Sequence, residues 1–198
     1  MARTIAKDHD DKRHLILKSA AHVFARDGYD GASMASVAQA CGISKANIYH
    51  YYPSKDAVLF DILDTHLRDL LQRVQNLDLS VAEPEQNLRL AVSEILLAYQ
   101  GADDEHTVQV AALSALPVEQ QQPLKGYQRD LVAIMSNLVC SIAPTAFEGR
   151  KDRLHATTMS VFGMLNWYFM WGAKSDQDAR QDYADLVVDL TVGGVRGL

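Results

Sequence analysis

The stretch that decides the fold of this chain is Ser33-Met34-Ala35-Ser36-Val37-Ala38-Gln39-Ala40-Cys41-Gly42-Ile43-Ser44-Lys45-Ala46-Asn47-Ile48-Tyr49-His50-Tyr51-Tyr52-Pro53-Ser54-Lys55. Near its start, Met34, Val37, Ala38 and Cys41 recur at i, i+3, i+4 and i+7, which predicts one short amphipathic helix. Gly42 follows at the position of a left-handed C-cap, a backbone conformation that glycine adopts without steric cost.

A second short helix is predicted after Ser44, whose hydroxyl can cap the first turn. Ile48 and Tyr52 lie one helical turn apart and can face inward. Pro53 ends the helix because the residue before a proline avoids the helical region. Four side chains that can hydrogen bond are left for the outer face: Lys45, Asn47, Tyr49 and His50.

Two helices joined by a glycine turn are typical of helix-turn-helix proteins, whose second helix enters the major groove of DNA. Donors and acceptors read base edges, and cations or hydroxyls hold phosphates. The segment from Lys45 to Lys55 supplies such groups within eleven residues. The sequence therefore predicts a DNA-binding helix here.

Residues 11–60 resemble the DNA-binding domain of the TetR family of repressors. The matching features are Ile16-Leu17 through Phe24-Ala25, Gly28-Tyr29, Ser33-Met34, Val37-Ala38, Gly42-Ile43-Ser44 and Ile48 through Lys55. Where the family usually has Tyr-Tyr-His-Phe, this chain has Tyr49-His50-Tyr51-Tyr52. The base preference is therefore expected to differ in detail.

The resemblance and the residue types together give a set of expected DNA contacts. Lys45 and Asn47 are expected to reach base edges, and Ala46 can meet a thymine methyl. Ser33 and Lys55 are expected to hold phosphates, since each lies at the start of a helix. The full predicted set is Ser33, Lys45, Ala46, Asn47, Tyr49, His50, Tyr51 and Lys55.

Three members of this set have a plain structural alternative. Tyr49 and Tyr51 can instead pack in the core of the domain. Lys55 can instead be a solvated lysine that pairs with Asp56 or with a helix end. The sequence leaves these alternatives open.

The charge of the chain is unevenly distributed. The net charge of −6 alone argues weakly against a nucleic-acid binder, but residues 1–60 carry eight basic and six acidic residues. The remaining residues carry 11 basic and 19 acidic residues. A DNA-facing end on an acidic body fits electrostatic steering by one face.

The apolar periodicity along the whole chain predicts an all-α protein, with no strand pattern. We expect a flexible arm over residues 1–10, a three-helix DNA-binding domain over 11–55, and a six-helix effector-binding and dimerisation domain over 56–198. In the arm, Arg3 and Lys7 could touch the minor groove or phosphates. The longer predicted helices cover residues 11–27, 54–77, 85–100, 123–142, 150–174 and 176–192, and residues 144–149 are predicted as a loop.

The segment Val161 to Trp171 is apolar on nearly all sides, and a helix of that kind must be buried on all sides. The simplest partner is a second copy, giving a four-helix bundle from this helix, the last helix and their mates, as in the family. An intramolecular core is the alternative. The predicted interface residues are Phe162, Leu165, Phe169, Trp171, Leu186 and Leu190.

The resemblance also implies an effector pocket in the C-terminal domain. Polar or amphipathic groups on apolar helices can orient a ligand there, although each is also compatible with an ordinary core or surface role. The predicted ligand-binding residues are Tyr99, His106, Gln109, Asn137, Asn166 and Trp167. We expect an apolar, aromatic or acyl-CoA effector. The N-terminal half also resembles regulators of aromatic-acid catabolism, which would implicate a thioester such as phenylacetyl-CoA.

The sequence gives little support for an enzyme. The seven histidines include no pair at i, i+3 or i+4 that could share a metal, and no nucleophile elbow or phosphate-cradling glycine loop occurs. We expect no catalytic residue, metal or cofactor. Two distant cysteines predict reduced thiols. With no signal peptide and no membrane-spanning run, we expect a cytoplasmic protein.

These observations predict a ligand-responsive repressor that binds a pseudo-palindromic operator as a homodimer. A helical small-molecule-binding protein or enzyme with an incidental helix-turn-helix is the main alternative. It predicts no salt-dependent DNA affinity. A nonspecific architectural DNA binder is a third possibility, and it predicts equal affinity for scrambled duplexes.

Overall fold

A computed structural model describes residues 2–80, 83–172 and 175–197, with side chains from His9 onward. Within these ranges every regular element is helical, which confirms the predicted all-α class. The helices are α1 (Ala2–Asp27), α2 (Met34–Ala40), α3 (Lys45–Tyr51), α4 (Lys55–Gln75), α5 (Pro84–Ala98), α6 (Asp103–Ala112), α7 (Val118–Ile142), α8 (Pro144–Phe147), α9 (Lys151–Trp167), α10 (Phe169–Gly172) and α11 (Gln177–Arg196). A short 3₁₀ turn, Leu113–Ala115, follows α6.

The chain divides into two compact units. Unit 1 comprises the residues up to Leu67 together with Asp104–Leu124, and unit 2 comprises Arg68–Asp103 together with the residues from Lys125 onward. The sequence predicted that the DNA-binding domain ends at residue 55 and the effector-binding domain begins at residue 56. That assignment of functions stays a prediction.

Unit 1 is built around the inner face of α1 and the first part of α4. Ile16, Ala20, Val23 and Phe24 of α1 are all buried, as their helical spacing predicts. α6 belongs to this unit, and two ion pairs join it to α1. Lys18 Nζ lies 2.8 Å from Glu105 Oε1, and His22 Nδ1 lies 3.0 Å from Asp104 Oδ2.

Unit 2 has one apolar core. Its buried members come from the end of α4 and from α5, α7, α8, α9 and α11, and they include Leu88, Ile95, Met135, Val161 and Val187. Arg180 of α11 is buried within this unit. It donates from Nη1 to the carbonyl of Leu96 at 3.3 Å, so it ties α11 to α5.

Several predicted element limits are corrected. α1 begins at Ala2 instead of Asp11, so the segment predicted as an arm is helical from Ala2 onward. α7 begins at Val118 and contains Pro123, which was predicted to start it. Residues 144–147, predicted as loop, form α8. Eight α-helices therefore follow α3 in the described ranges, where six were predicted.

The long helix predicted over residues 150–174 is interrupted at Tyr168. The side chain of Tyr168 is buried, and its ring stacks on Tyr183 with centroids 4.5 Å apart. Gly172 lies against the same ring, so closely that an added Cβ would approach it to 2.4 Å. α9 therefore ends at Trp167 and the short α10 follows. Residues 173 and 174 lie outside the described ranges.

Candidate nucleic-acid interface

The turn between α2 and α3 has the predicted glycine geometry. Gly42 has φ +65°, in the left-handed region. The amide of Ile43 donates to the carbonyl of Ala38 at 3.0 Å, and the amide of Gly42 donates to Gln39 at 3.1 Å. This pair of hydrogen bonds is the Schellman C-cap, which ends α2 and redirects the chain into α3.

α3 is fixed at its start and along one side. Ser44 precedes it with an extended backbone, and its Oγ accepts from the amide of Asn47 at 3.1 Å. Ile48 is completely buried (0% exposed). With one face held in this way, the exposed side chains of α3 are Lys45, Ala46, Asn47, Tyr49 and His50.

Tyr51 does not share that exposed face. It is half-buried, and its ring lies 5.1 Å from the ring of His9 on α1. Tyr51 therefore packs at the boundary between α1 and α3, at a half-buried position outside the apolar core that was its structural alternative. A DNA contact through its hydroxyl stays a prediction. Arg3 and Lys7 lie outside the described side chains.

Ser33 caps the helix that precedes the turn. Its Oγ accepts from the amide of Ser36 at 3.1 Å, and the Oγ of Ser36 accepts from the amide of Ser33 at 2.9 Å. This reciprocal pair is a capping box built from two serines. Ser33 is exposed at the N-terminus of α2, the end of a helix that favours an anion.

Lys55 is more deeply engaged than the sequence suggested. Its ammonium donates to the carbonyls of Tyr29 at 2.7 Å and Ala32 at 3.1 Å, and it lies 4.2 Å from the centroid of the Tyr29 ring. The hydroxyl of Tyr29 donates to Asp56. Burial and this hydrogen bond raise the pKa of Tyr29. Lys55 thus anchors the loop before Ser33, and its predicted phosphate contact stays a prediction.

A polar network in unit 1 was missed by the sequence reasoning. Arg13 of α1 donates from Nε to Asp61 Oδ2 at 2.9 Å and from Nη2 to Asp61 Oδ1 at 2.5 Å. The hydroxyl of Tyr52, at the end of α3, also donates to Asp61 Oδ2. Asp61 stands beside Ile62 on the apolar face of α4, and an acid on an apolar face was the available signal.

Models of known protein families match both parts of this chain. The model described as bacterial regulatory proteins, tetR family, matches residues 16–62. The model described as tetracyclin repressor-like, C-terminal domain, matches residues 81–195, which is more than half of the chain. The chain belongs to the TetR family. It is a DNA-binding transcription regulator of the helix-turn-helix type, as the resemblance predicted.

Individual relatives cover nearly the whole of this TetR-family chain. A TetR-family regulator from Bordetella parapertussis has a crystal structure with a TM-score of 0.86 and 34% identity, covering 94% of this chain and 96% of that one. The HTH-type transcriptional repressor NicS of Pseudomonas putida is 26% identical over 96% of this chain and 95% of its own length. AibR, solved in complex with isovaleryl coenzyme A and operator DNA, has a TM-score of 0.74 at 24% identity, with coverage of 90% and 97%.

The six predicted ligand-binding residues of this TetR-family protein are distributed over both units, and their role stays a prediction. In unit 2, Tyr99 is buried and its hydroxyl donates to Asn166 Oδ1 at 2.9 Å. Burial raises the pKa of Tyr99. Asn137 and Trp167 are exposed.

His106 and Gln109 belong to unit 1. The ring of buried His106 lies 6.2 Å from the ring of His66 on α4. Gln109 is half-buried, and its side chain acts to raise the pKa of His66. Among the predicted six residues, Tyr99 and Asn166 are joined by a hydrogen bond in unit 2, with Tyr99 in the core and Asn166 half-buried.

The predicted interface residues of the TetR-family chain also separate into groups. Phe162 (7% exposed) and Leu165 (0%) are buried in unit 2's own core, so their assignment to a dimer interface is corrected. The reason is that α9 presents these two side chains to α5 and α11 within one chain. Phe169 is half-buried. Trp171, Leu186 and Leu190 are exposed.

The described residues contain no group of three or more His, Cys, Asp or Glu side chains that could hold a metal ion. No helix in the same ranges is long and apolar enough to cross a membrane.

Proposed function

We propose that this protein is a repressor that binds a pseudo-palindromic operator as a homodimer and is released by a small effector bound in unit 2. The observation that carries the proposal is the face of α3, where Lys45, Asn47, Tyr49 and His50 are exposed while Ile48 is buried. A folded domain that exposes this many hydrogen-bonding and aromatic groups on a two-turn helix fits a base-reading surface.

The side chains on α3 suit different parts of DNA. Asn47 can pair with adenine through the oxygen and the nitrogen of its side-chain amide, and Lys45 can donate to guanine. Ala46 is small enough to meet a thymine methyl. Tyr49 and His50 can bond phosphates or stack on sugars. Ser33 and Lys55, at the starts of α2 and α4, are proposed as phosphate contacts that position the helix.

Dimerisation is supported by an apolar face on α9 and α11. Met159 and Trp167 of α9 and Leu186 and Leu190 of α11 are large apolar side chains left exposed in the single chain. A groove of about 260 Å³ lies between the same two helices, with Met164, Leu190 and Val195 among its lining residues. A second copy can cover this face through a two-fold axis.

Two copies related in this way would present two recognition helices. If these lie roughly 34–36 Å apart, they reach successive major grooves on one side of the DNA. The operator is then expected to be a pseudo-palindrome with half-sites one helical turn apart. Footprinting tests this directly, because a dimer protects two such half-sites and a monomer protects one.

The effector is proposed to be apolar, aromatic or an acyl-CoA thioester. The hydrogen-bonded pair Tyr99 and Asn166 places polar groups next to the apolar core of unit 2, and a few polar groups among apolar side chains are what orients a ligand. The TetR-family neighbour AibR was crystallised with isovaleryl coenzyme A and operator DNA. At 24% identity that likeness bears on the fold, so the ligand class for this chain is our proposal.

Release by the effector follows from linkage. An effector shifts a conformational equilibrium only if it binds one conformer more tightly, so it must prefer the conformer that cannot bind the operator. Phenylacetyl-CoA added to a preformed protein–operator complex should lower the operator-bound fraction. Free phenylacetate and free CoA at equal concentration are the controls. Equal release by CoA alone would contradict a thioester effector.

A further inference from the structure

Asp61 accepts hydrogen bonds from two other elements of unit 1. Its two carboxylate oxygens accept the forked guanidinium of Arg13 on α1, at 2.9 and 2.5 Å. The oxygen Oδ2 also accepts the hydroxyl of Tyr52. Asp61 therefore joins α1, α4 and the residue that ends α3.

Two of the three side chains in the network are buried, which restricts its geometry, and Arg13 reaches them from an exposed position on α1. Asp61 is 9% exposed and Tyr52 is 6% exposed. A carboxylate removed from water has to be compensated by hydrogen bonds and an opposite charge, and a bidentate arginine supplies both. If Tyr52 moved, its hydroxyl would lose a charged acceptor.

Tyr52 is the residue through which this restriction reaches α3. It is the C-cap of α3, with an extended backbone at φ −135° and ψ 122°, and its amide donates to the carbonyl of Ile48 at 3.0 Å. A helix of seven residues is too short to be stable alone, so its orientation depends on tertiary anchors. The other buried anchor is Ile48, whose apolar contacts are not directional.

We propose that Asp61 is a positioning residue for DNA recognition, which fixes the end of α3 against α4 through the Tyr52 hydroxyl. The network sets the angle at which the outer face of α3 meets base edges. This proposal rests on the proposed operator binding, and it assigns no DNA contact to Asp61, Tyr52 or Arg13. Because Asp61 lies on α4, a helix that continues along the chain beyond unit 1, a shift of α4 would move the end of α3.

A matched control exists in the same unit. Tyr29 also donates its hydroxyl to an aspartate of α4, Asp56, but Tyr29 lies in the loop before α2 and not on α3. Tyr52→Phe and Tyr29→Phe thus remove the same chemical group from the same helix partner. Only Tyr52→Phe is expected to loosen the end of α3.

The DNA measurement compares operator and scrambled duplexes for the wild type, Tyr52→Phe, Asp61→Asn and Tyr29→Phe. Losing a hydrogen bond to a charged group should lower the ratio of operator to scrambled affinity by about tenfold in Tyr52→Phe. The affinity for scrambled DNA and its salt dependence should stay unchanged, because no phosphate contact is lost. Tyr29→Phe should leave the ratio unchanged. A ratio for Tyr52→Phe within about twofold of wild type, or an equal fall in Tyr29→Phe, would overturn the proposal.

Hydrogen exchange without DNA decides the question independently of operator binding and of how well Asp61→Asn folds. In Tyr52→Phe, amides of residues 47–52 should exchange about tenfold faster, while buried amides of α1 keep their protection. A uniform acceleration across unit 1 would show that the network supports general stability and not the orientation of α3. No acceleration would show that the network does not hold α3, and either result would overturn the proposal. If the wild type binds both duplexes equally, the proposed function fails, and the exchange result alone judges the positioning role.

Discussion

The ammonium of Lys55 donates to the backbone carbonyl of Tyr29 at 2.7 Å and lies over the ring of the same residue. A lysine at the start of α4 is thereby tied to the loop that leads into Ser33 and α2. Lys55, which was predicted to hold a phosphate, therefore supports the structure of the helix-turn-helix domain.

The first prediction separates the structural role of Lys55 from its proposed phosphate contact. Lys55→Ala should lower the free energy of unfolding by about 1–2 kcal/mol, because two carbonyls lose a charged donor and the Tyr29 ring loses a cation. Chemical denaturation measures this change. Lys45→Ala is the control, since Lys45 is exposed on α3 and its loss should weaken operator binding without changing stability. Equal stabilities of wild type and Lys55→Ala would show that the carbonyl contacts contribute nothing.

The second prediction concerns base reading by Asn47. This side chain is exposed on α3, and its backbone amide, not its side chain, supports the helix cap. Asn47→Ala should cost about 1–3 kcal/mol of operator affinity and relax the preference at one base pair, with little change in stability. Titrations against operators with single base changes measure both effects. An unchanged preference at every position would remove Asn47 from the base-reading set.

The third prediction tests the apolar face of unit 2. Leu190 is 58% exposed in the single chain, so Leu190→Arg should abolish dimerisation while the protomer stays folded. A charge placed in the centre of an apolar interface is not compensated after burial. Light scattering with circular dichroism reports mass and folding together. A well-folded dimer of the variant would show that the interface lies elsewhere.

Phe162 on α9 provides the contrast to Leu190 on α11. Because it is buried in the core of unit 2, Phe162→Ala should lower the free energy of unfolding by about 3–5 kcal/mol through the cavity it leaves. If Phe162→Ala instead caused the dimer to dissociate into stable protomers, the placement of Phe162 in the core would be contradicted.

The fourth prediction is a pH dependence of stability. His66 is half-buried on α4, and this burial, together with the nearby His106 and Lys18, lowers its pKa from 6.5 to about 4, against an opposing effect of Gln109. The unfolded chain therefore binds the proton more readily, so stability should fall as pH drops from about 6.5 to 4 and be flat above that window.

His66→Gln should remove that part of the pH dependence, which amounts to at most about 3 kcal/mol across the window. Denaturation curves at pH 4.5, 5.5 and 7 for both proteins measure it. His14→Gln is a suitable control, because His14 is exposed on α1. If both variants keep the wild-type slope, other groups govern the acid response.

Local sequence signals predicted the turns and caps of α2 and α3 well because these features depend on nearby residues. Gly42 ends α2 and Ser44 caps α3 through contacts within five residues, and contacts of this kind depend only on neighbouring residue types. The inward placement of Ile48 and Tyr52 followed from helical spacing in the same way.

The parts that the sequence could not predict depend on distant partners or on a missing pattern. Arg13 and Asp61 are 48 residues apart, so nothing local pairs them. The start of α1 at Ala2 was missed because residues 2–10 are mainly polar and show no apolar stripe. The all-round apolar pattern of α9 could not tell which face meets its own core, and so Phe162 was assigned to a partner.

The most direct test of the central claim is an equilibrium titration of the wild-type protein against the duplex upstream of its own gene, with a scrambled duplex, at two salt concentrations. Our account predicts tighter binding to the upstream duplex at both salts and weaker binding to both duplexes at the higher salt, because phosphate contacts release counterions. Equal affinity for the two duplexes would contradict sequence-specific repression. No binding to either duplex would contradict the assignment of α3 as a recognition helix.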